Sequence, residues 1–353
     1  MYRSVHYPCI NSTHNPYNYL LINALNEIGF TSVSCNSITS LYRYVLFRSI
    51  STIHFHWLDR AGGRVNLSPS KLFWQFSIIL ILLIARLLRI KTVWTVHNIN
   101  THNSSSSVNT FYRVVSALVS SLITHSASGA LTISNAYLVS KNKVYFIPHG
   151  CYPCAFDVKP FLPNNFTPSS PLRMLYFGHV SPYKGLDLLC SALHSLSERI
   201  GDLTPNVTIV GQFNSSKYPV LDQQLRSCSK IRLVPGFVDN HQLNRYLELA
   251  DLVILPFRDT FTSGSLIYAL SAGKPVLISD IDSLAFYLSP SFSFTFEAGN
   301  VTSLIHALDN ISMAHSCQSL QIMGQSARHF AKTLDWNAIA YKTVDIYSSP
   351  PTA

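Results

Sequence analysis

Asp251-Leu-Val-Ile-Leu-Pro-Phe-Arg-Asp-Thr-Phe-Thr-Ser-Gly-Ser-Leu-Ile-Tyr-Ala-Leu-Ser-Ala-Gly-Lys-Pro-Val-Leu-Ile-Ser-Asp280 decides the fold. Leu252–Leu255 is a short all-apolar run closed by Pro256, the pattern of a strand buried on both faces of a parallel sheet. Thr262 and Ser263 are N-cap residue types for a helix from about Gly264 to Ala272. Gly273 stops that helix, and Val276–Ile278 opens the next strand. Strand, loop, helix and strand in this order make half of a doubly wound nucleotide-binding sheet. Gly264 lets the backbone approach a ligand, and the unpaired N–H groups of the helix start favour an anion, with phosphate the natural guest.

The rest of the second half repeats the pattern. Leu172–Phe177 reads as a strand, followed by Gly178-His179-Val180-Ser181-Pro182-Tyr183-Lys184-Gly185 and a helix to about Arg199. Val207–Val210 ends at Gly211. Ile231–Val234 ends at Pro235-Gly236-Phe237, and Asn240–Ala250 is a helix. Residues 151–171 hold five prolines and mark an interdomain linker.

The first half follows the same logic less cleanly. Tyr2–Ile10 is a weak strand. The helix after His14-Asn15-Pro16 carries Leu20, Leu21, Ala24, Leu25 and Ile28 on one face and stops at Gly29. His14-Asn15-Pro16 fits either a helix-capping turn or an acceptor-facing loop. Ile53-His54-Phe55-His56-Trp57 alternates as a strand does, so His54 and His56 share a face. That pair invites a metal, yet no third ligand stands at a supporting spacing, and no metal is expected. Asp59 follows at the strand end, where open α/β sheets place their ligands. Thr92–His97 is a strand ending in a histidine, and His102 begins a serine-rich loop. A helix is expected over Phe111–Ser121, then strands at Ala130–Ile133 and Val144–Ile147.

Composition bounds the chemistry. The chain has 353 residues, 47% hydrophobic and 12% charged, which suits two cored domains and argues against disorder. Residues 1–165 hold 13 Lys and Arg against 3 Asp and Glu. The remainder holds 13 against 14, so the whole +9 excess belongs to the first half. An acidic partner is implied there, an anionic membrane surface foremost. No basic run interleaved with aromatics occurs, so nucleic acid is not expected. Leu72–Ile90 is strongly apolar, but Gln75, Arg86 and Arg89 interrupt it. Its unbroken part is about ten residues where a span needs about twenty. With cations at both ends it reads as a buried helix or an interfacial one lying on lipid. Seven cysteines in this length suggest a reducing compartment, and the lone Cys151-x-x-Cys154 lacks a second pair for zinc. Met1–Asn11 has no apolar stretch, so no signal peptide is expected there.

Gly178…Tyr183-Lys184-Gly185, Gly236-Phe237-Val238, Ala250-Asp251…Pro256 and Ser263-Gly264-Ser265…Ala272-Gly273-Lys274-Pro275 together resemble the donor half of nucleotide-sugar-dependent glycosyltransferases of GT-B fold. Asn15-Pro16-Tyr17, His54-Phe55-His56-Trp57, Trp94-Thr95-Val96-His97-Asn98 and Ile147-Pro148-His149-Gly150 resemble a bacterial exopolysaccharide branch, which includes the xanthan-pathway β-mannosyltransferase. Asp335-Trp336-Asn337 through Tyr347 resembles the C-terminal helix that crosses back in that family.

The resemblance implies an α/β chain of two Rossmann-like doubly wound domains facing across a cleft. These are an acceptor domain 1–160, a donor domain 161–334 and a returning helix 335–353. It implies transfer of a hexosyl group, mannosyl foremost, from a GDP- or UDP-linked sugar to a polyprenyl-diphosphate-linked saccharide. The setting implied is cytoplasmic, peripheral on the inner face of the plasma membrane, with no metal and no other cofactor. Donor-binding candidates are Gly178, His179, Lys184, Gly211, Gly236, Phe237, Val238, Thr262, Ser263, Gly264 and Ser265. Candidates for the catalytic base are Asp59, His97 and His102. The two glutamates usual in retaining members are replaced by Thr260 and Tyr268, which favours inversion. A non-catalytic nucleotide-sugar-binding subunit and a nucleotide-sugar epimerase of the same fold are the alternatives.

Overall fold

The computed structural model describes residues 3–9, 16–58, 69–99, 106–159, 171–314 and 317–349. The chain forms two compact units, Met1–Gly150 with Leu334–Ala353 and Cys151–Thr333.

Among the described residues, unit 1 is built on six parallel strands: β1 Arg3–Tyr7, β2 Thr31–Ser34, β3 Thr52–His56, β4 Lys91–Val96, β5 Ser121–Thr124 and β6 Val144–Phe146. Their order across the sheet is β2-β1-β3-β4-β5-β6. Every residue of β3 and β4 is buried, as strands covered by helices on both faces require. The helix Trp336–Ser348 belongs to this unit. Asp335 caps it by accepting from the Ala338 N–H at 2.9 Å. It packs beside the helix Tyr17–Glu27, with Tyr347 buried.

Unit 2 carries β7 Arg173–Phe177, β8 Asn206–Gly211, β9 Ile231–Pro235, β10 Leu252–Leu255, β11 Val276–Asp280 and β12 Ser293–Glu297, also all parallel, in the order β12-β11-β10-β7-β8-β9. That is the doubly wound dinucleotide-fold order, and it reverses between β7 and β10. In unit 1 the reversal lies between β1 and β3. Ligands of open α/β sheets sit outside the strand C-termini at such points.

Two departures from the sequence reading have physical causes. Ala130–Ile133 is not a strand but lies inside the helix Gly129–Tyr137. The strand at that place in the sheet is β5. A short apolar run is ambiguous by itself, and burial of Gly129, Ile133 and Tyr137 at four-residue steps is the helical period. Residues 151–159 of the expected linker pack on unit 2, with Cys151, Tyr152, Ala155 and Val158 buried. The long apolar helix covers Pro69–Leu87, and no described helix is long and apolar enough to cross a membrane.

Candidate active site

In unit 2 the loops after β7 and β10 are pinned together. Gly178 (φ +123°) and Gly185 (φ +69°) turn the first loop. A Cβ on Gly185 would stand 1.8 Å from the Pro256 carbonyl oxygen, so only glycine fits so close to the other loop. The Arg258 N–H donates to the Tyr183 carbonyl at 2.9 Å. The Arg258 guanidinium donates to both oxygens of Asp187 at 2.8 and 2.7 Å.

Lys184 ends this loop, partly buried, with Nζ 3.9 Å from the Phe257 ring centroid and 4.9 Å from that of Tyr183. Among the described residues no carboxylate pairs with it. Burial pulls its pKa down to about 8. A cation held by ring faces and lacking an anionic partner is ready for one supplied by a ligand.

The helix Gly264–Ser271 starts beside this cation's loop. Ser263 caps it, accepting from the Leu266 N–H at 3.2 Å, and Ser265 Oγ donates to the Phe177 carbonyl at the end of β7 at 3.1 Å. A Cβ on Gly264 would lie 2.8 Å from Tyr152 Oη, so a side chain there would have to displace that ring. Thr262 is half-exposed, and its carbonyl accepts from Thr260 Oγ1 at 2.8 Å. Gly178, Lys184, Ser263, Gly264 and Ser265 therefore border one sheet reversal.

Gly211 backs this cluster: its φ is +154°, and a Cβ would stand 1.8 Å from the Gly178 carbonyl oxygen. Gly236 lies one strand further out, its N–H donating to the Gly211 carbonyl at 3.0 Å. Phe237 beside it is exposed and Val238 half-buried. His179 is exposed and accepts at its carbonyl from Tyr176 Oη at 2.9 Å. Tyr268, standing where a glutamate is usual, is buried and donates to Asn244 Oδ1 at 2.9 Å. Its ring packs against Tyr152, and burial first of all raises its phenol far above the ordinary range.

In unit 1 a group of histidines gathers at the strand C-termini. His6 comes from β1, and His54 and His56 from β3. His97, His125 and His149 follow β4, β5 and β6; all six are buried. Tyr17 meets His56, His97, His125 and His149 with ring centroids 4.8–5.7 Å away. Trp57 stacks on His97 at 4.1 Å with the planes 10° apart. Burial drives the pKa of His6 and His125 down to about 3 and of His149 to about 4, and holds His54 and His56 well below 6.5. These rings are neutral at pH 7.

His97 was expected from the sequence. Asp59 and His102 lie outside the described residues. The third histidine that the His54–His56 pair lacked in the sequence is His6, and the ring nitrogens of the three come within 4.8 Å of one another. Those nitrogens are already occupied. His54 bonds Tyr347 Oη at 2.6 Å and Thr95 Oγ1 at 2.7 Å. His6 Nδ1 bonds His56 Nε2 at 3.0 Å, His6 Nε2 bonds Ser4 Oγ at 3.3 Å, and His56 Nδ1 bonds His97 Nε2 at 3.4 Å. The trio is thus part of a hydrogen-bonded network.

Comparison with known proteins bears on both units. Residues 171–313 match the family described as glycosyl transferases group 1. GDP-mannose:glycolipid 4-beta-D-mannosyltransferase of Xanthomonas campestris pv. campestris is 28% identical over 149 residues, 41% of this chain and 42% of that protein. Lipopolysaccharide glucosyltransferase WaaG of Escherichia coli is 28% identical over 165 residues, 46% of this chain and 42% of its own. The matches thus span about two fifths of these relatives' length. Among solved structures, a glycosyltransferase of Rickettsia africae superposes with a TM-score of 0.68 at 15% identity, covering 98% of this chain and 97% of that one. Anabaena Alr3699/HepE, solved in complex with UDP, gives 0.69 at 14% identity, covering 99% of this chain and 100% of that one.

Proposed function

We propose, from the premise that residues 171–313 form a group 1 glycosyl transferase domain in a chain of GT-B fold, that the protein transfers a hexosyl group from a nucleotide-diphosphate sugar to a lipid-linked saccharide. The carrying observation is the unit 2 sheet reversal. Among the described residues Lys184 stands there against ring faces with no carboxylate paired to it, and the Gly264–Ser271 helix presents its N-terminus. A leaving nucleoside diphosphate gains negative charge as the glycosidic bond breaks, and a cation with fixed N–H donors stabilises it. The group 1 match and the UDP bound by a structural neighbour support the donor class. The Xanthomonas relative supports GDP-mannose and a glycolipid acceptor.

The transfer is proposed to invert configuration. Tyr268 and Thr260 offer no carboxylate to the donor sugar, and Tyr268 is committed to Asn244. Inversion needs a base for the acceptor hydroxyl, and His97 is our assignment for it.

No metal is required in this reading. Asp280-Ile-Asp282, an Asp-x-Asp triplet, lies at and beyond the end of β11, outside the β7–β10 reversal. A panel of GDP- and UDP-sugars tests donor and metal together by thermal shift. A sugar at ten times its Kd stabilises by about 1.4 kcal/mol, a few degrees in Tm, equally with and without EDTA. A shift lost in EDTA and restored by magnesium or manganese would refute the metal-free reading. No shift with any nucleotide sugar would refute the donor reading.

The acceptor side is proposed to rest on the inner face of the plasma membrane. Leu72, Phe76, Leu83 and Leu87 make one exposed stripe on the helix Pro69–Leu87, with Phe73 beside it. The neighbouring helix Ile38–Leu46, whose Tyr42 Oη donates to the Ser77 carbonyl, leads into exposed Phe47. Arg43, Arg48, Arg86 and Arg89 are exposed near these ends. Apolar insertion with basic flanks binds anionic lipid, at about 1 kcal/mol per close cation. In flotation the protein should rise with anionic liposomes at low salt and partly detach at high salt. Absence from both anionic and neutral liposomes at low salt would remove this part.

A further inference from the structure

We propose that Arg258 is a positioning residue for the donor cation: by holding both oxygens of Asp187 it keeps that carboxylate off Lys184 and away from the diphosphate that Lys184 is to receive. The inference rests on the donor-binding reading of the β7–β10 reversal.

The chain sets up a conflict at this place. Asp187 stands in the first turn of the helix Leu186–Ile200, where a carboxylate meets the positive end of the helix dipole. The same position is three residues past Lys184, which makes Asp187 its nearest acidic neighbour in sequence. A carboxylate left free there would compete with a nucleoside diphosphate for the ammonium and repel its negative charge.

Arg258 removes that competitor. Its Nη1 donates to Asp187 Oδ1 at 2.8 Å and its Nη2 to Oδ2 at 2.7 Å, the parallel two-bond geometry in which a guanidinium binds a carboxylate best. Among the described residues Asp187 forms no other ion pair. Most surface pairs achieve little, because two mobile side chains must be ordered to make them. Here the backbone already brings the two loops together. The Arg258 N–H donates to the Tyr183 carbonyl at 2.9 Å, and Gly185 is pressed against the Pro256 carbonyl.

The same tie seats a ring on the lysine. Phe257 precedes Arg258, is buried, and has its ring centroid 3.9 Å from Lys184 Nζ. The loop after β10 thus gives Lys184 an apolar ring face and occupies its acidic neighbour. Arg258 and Asp187 cancel each other, and the net charge of the cluster stays on Lys184.

A structural brace and a charge guard differ in what a double variant does. If the pair only braces the loops, removing both arms is no better than removing one. If Arg258 guards Lys184, losing Arg258 alone releases Asp187, whereas losing both leaves nothing to guard against.

The test uses the full chain and measures the Kd of GDP and of UDP by isothermal titration calorimetry at low salt. Arg258→Gln should weaken the nucleoside diphosphate by about tenfold, the scale of one charge-assisted contact. Asp187→Asn should stay within about threefold of wild type, and the double variant should return to that range. Arg258→Lys keeps the charge and should stay there too. The two side chains are 39% and 32% exposed, so these substitutions are expected to leave the fold intact. A second readout needs no nucleotide: the rate at which acetic anhydride acetylates Lys184, followed by peptide mass spectrometry at neutral pH. It should fall several-fold in Arg258→Gln, where Asp187 holds the ammonium, and recover in the double variant. A double variant as weak as Arg258→Gln, an Arg258→Lys protein equally weak, or Lys184 acetylated as fast in Arg258→Gln as in wild type would each overturn the proposal. Nucleotide binding that is equal in all variants would overturn it too and leave the donor reading standing. The expected acetylation pattern in a protein that binds neither nucleotide would uphold the guarding of Lys184 and sink the donor reading it serves.

Discussion

Acidification to about pH 5.5 is expected to unfold unit 1. His6, His54, His56, His125 and His149 are buried and neutral, with folded pKa values of about 3 to 4 where these are resolved and well below 6.5 for the others. A folded pKa depressed below the unfolded value of about 6.5 means that the unfolded chain takes up protons first. The stability is therefore whole above pH 6.5 and is lost as pH falls from there toward 3. One unit below 6.5 each such histidine costs on the order of 1 kcal/mol, so several together take a large share of the stability of a typical domain. The described histidines of unit 2, His179, His194, His241, His306 and His329, are exposed.

All four tryptophans, Trp57, Trp74, Trp94 and Trp336, belong to unit 1, so their fluorescence reports it alone. The emission should shift to longer wavelength between pH 6.5 and 5, while far-UV circular dichroism falls only part of the way. Emission unchanged down to pH 4.5 would contradict the neutral buried cluster.

Lys184→Ala is expected to lower turnover by more than tenfold. The ammonium is the one cation seen at the β7–β10 reversal among the described residues with ring faces and no carboxylate around it. Losing one charge-assisted contact to a developing phosphate charge costs at least the 1.4 kcal/mol that a tenfold change represents. Its pKa of about 8 adds a pH signature. The ammonium that binds the diphosphate is present below that value and lost above it, so donor KM should rise as pH climbs through about 8. In Lys184→Ala that rise should vanish. Wild-type kinetics in a folded Lys184→Ala protein would remove Lys184 from the donor site.

Unit 2 was legible because its signals are local. Each glycine turn follows its strand within a few residues, and Ser263 before an apolar run is a cap whatever surrounds it. The histidine network was not, because it is assembled from five strand ends spread over residues 6–149. A trace of it was present: a histidine stands within three residues of the end of β1, β3, β4, β5 and β6. Only knowing that these strands are parallel neighbours turns that recurrence into a cluster. The His54–His56 pair looked incomplete because its third member is 48 positions away from His54, joined through sheet register, with His6 paired to His54. The strand expected at Ala130–Ile133 failed for the opposite reason. Four apolar-looking residues fit two periods, and the neighbouring Ser121–Thr124 had already filled the slot beside β4. At Tyr268 the sequence showed a missing carboxylate. That the phenol is tied to Asn244 depends on the helix Asn240–Leu249, which no local pattern reveals.

The central claim is that the protein moves a sugar from a nucleotide to an acceptor, and acceptor-dependent release of nucleoside diphosphate tests it most directly. The protein is incubated with the nucleotide sugar that gives the largest thermal shift, with and without a lipid-linked saccharide fraction. Released diphosphate and glycolipid mass are then followed together. The account expects release only when the acceptor is present, matched by one added hexose on the glycolipid. Binding without release would make the chain a nucleotide-sugar-binding subunit, and release or isomerisation without acceptor would make it a donor-processing enzyme of the same fold; either result contradicts the account.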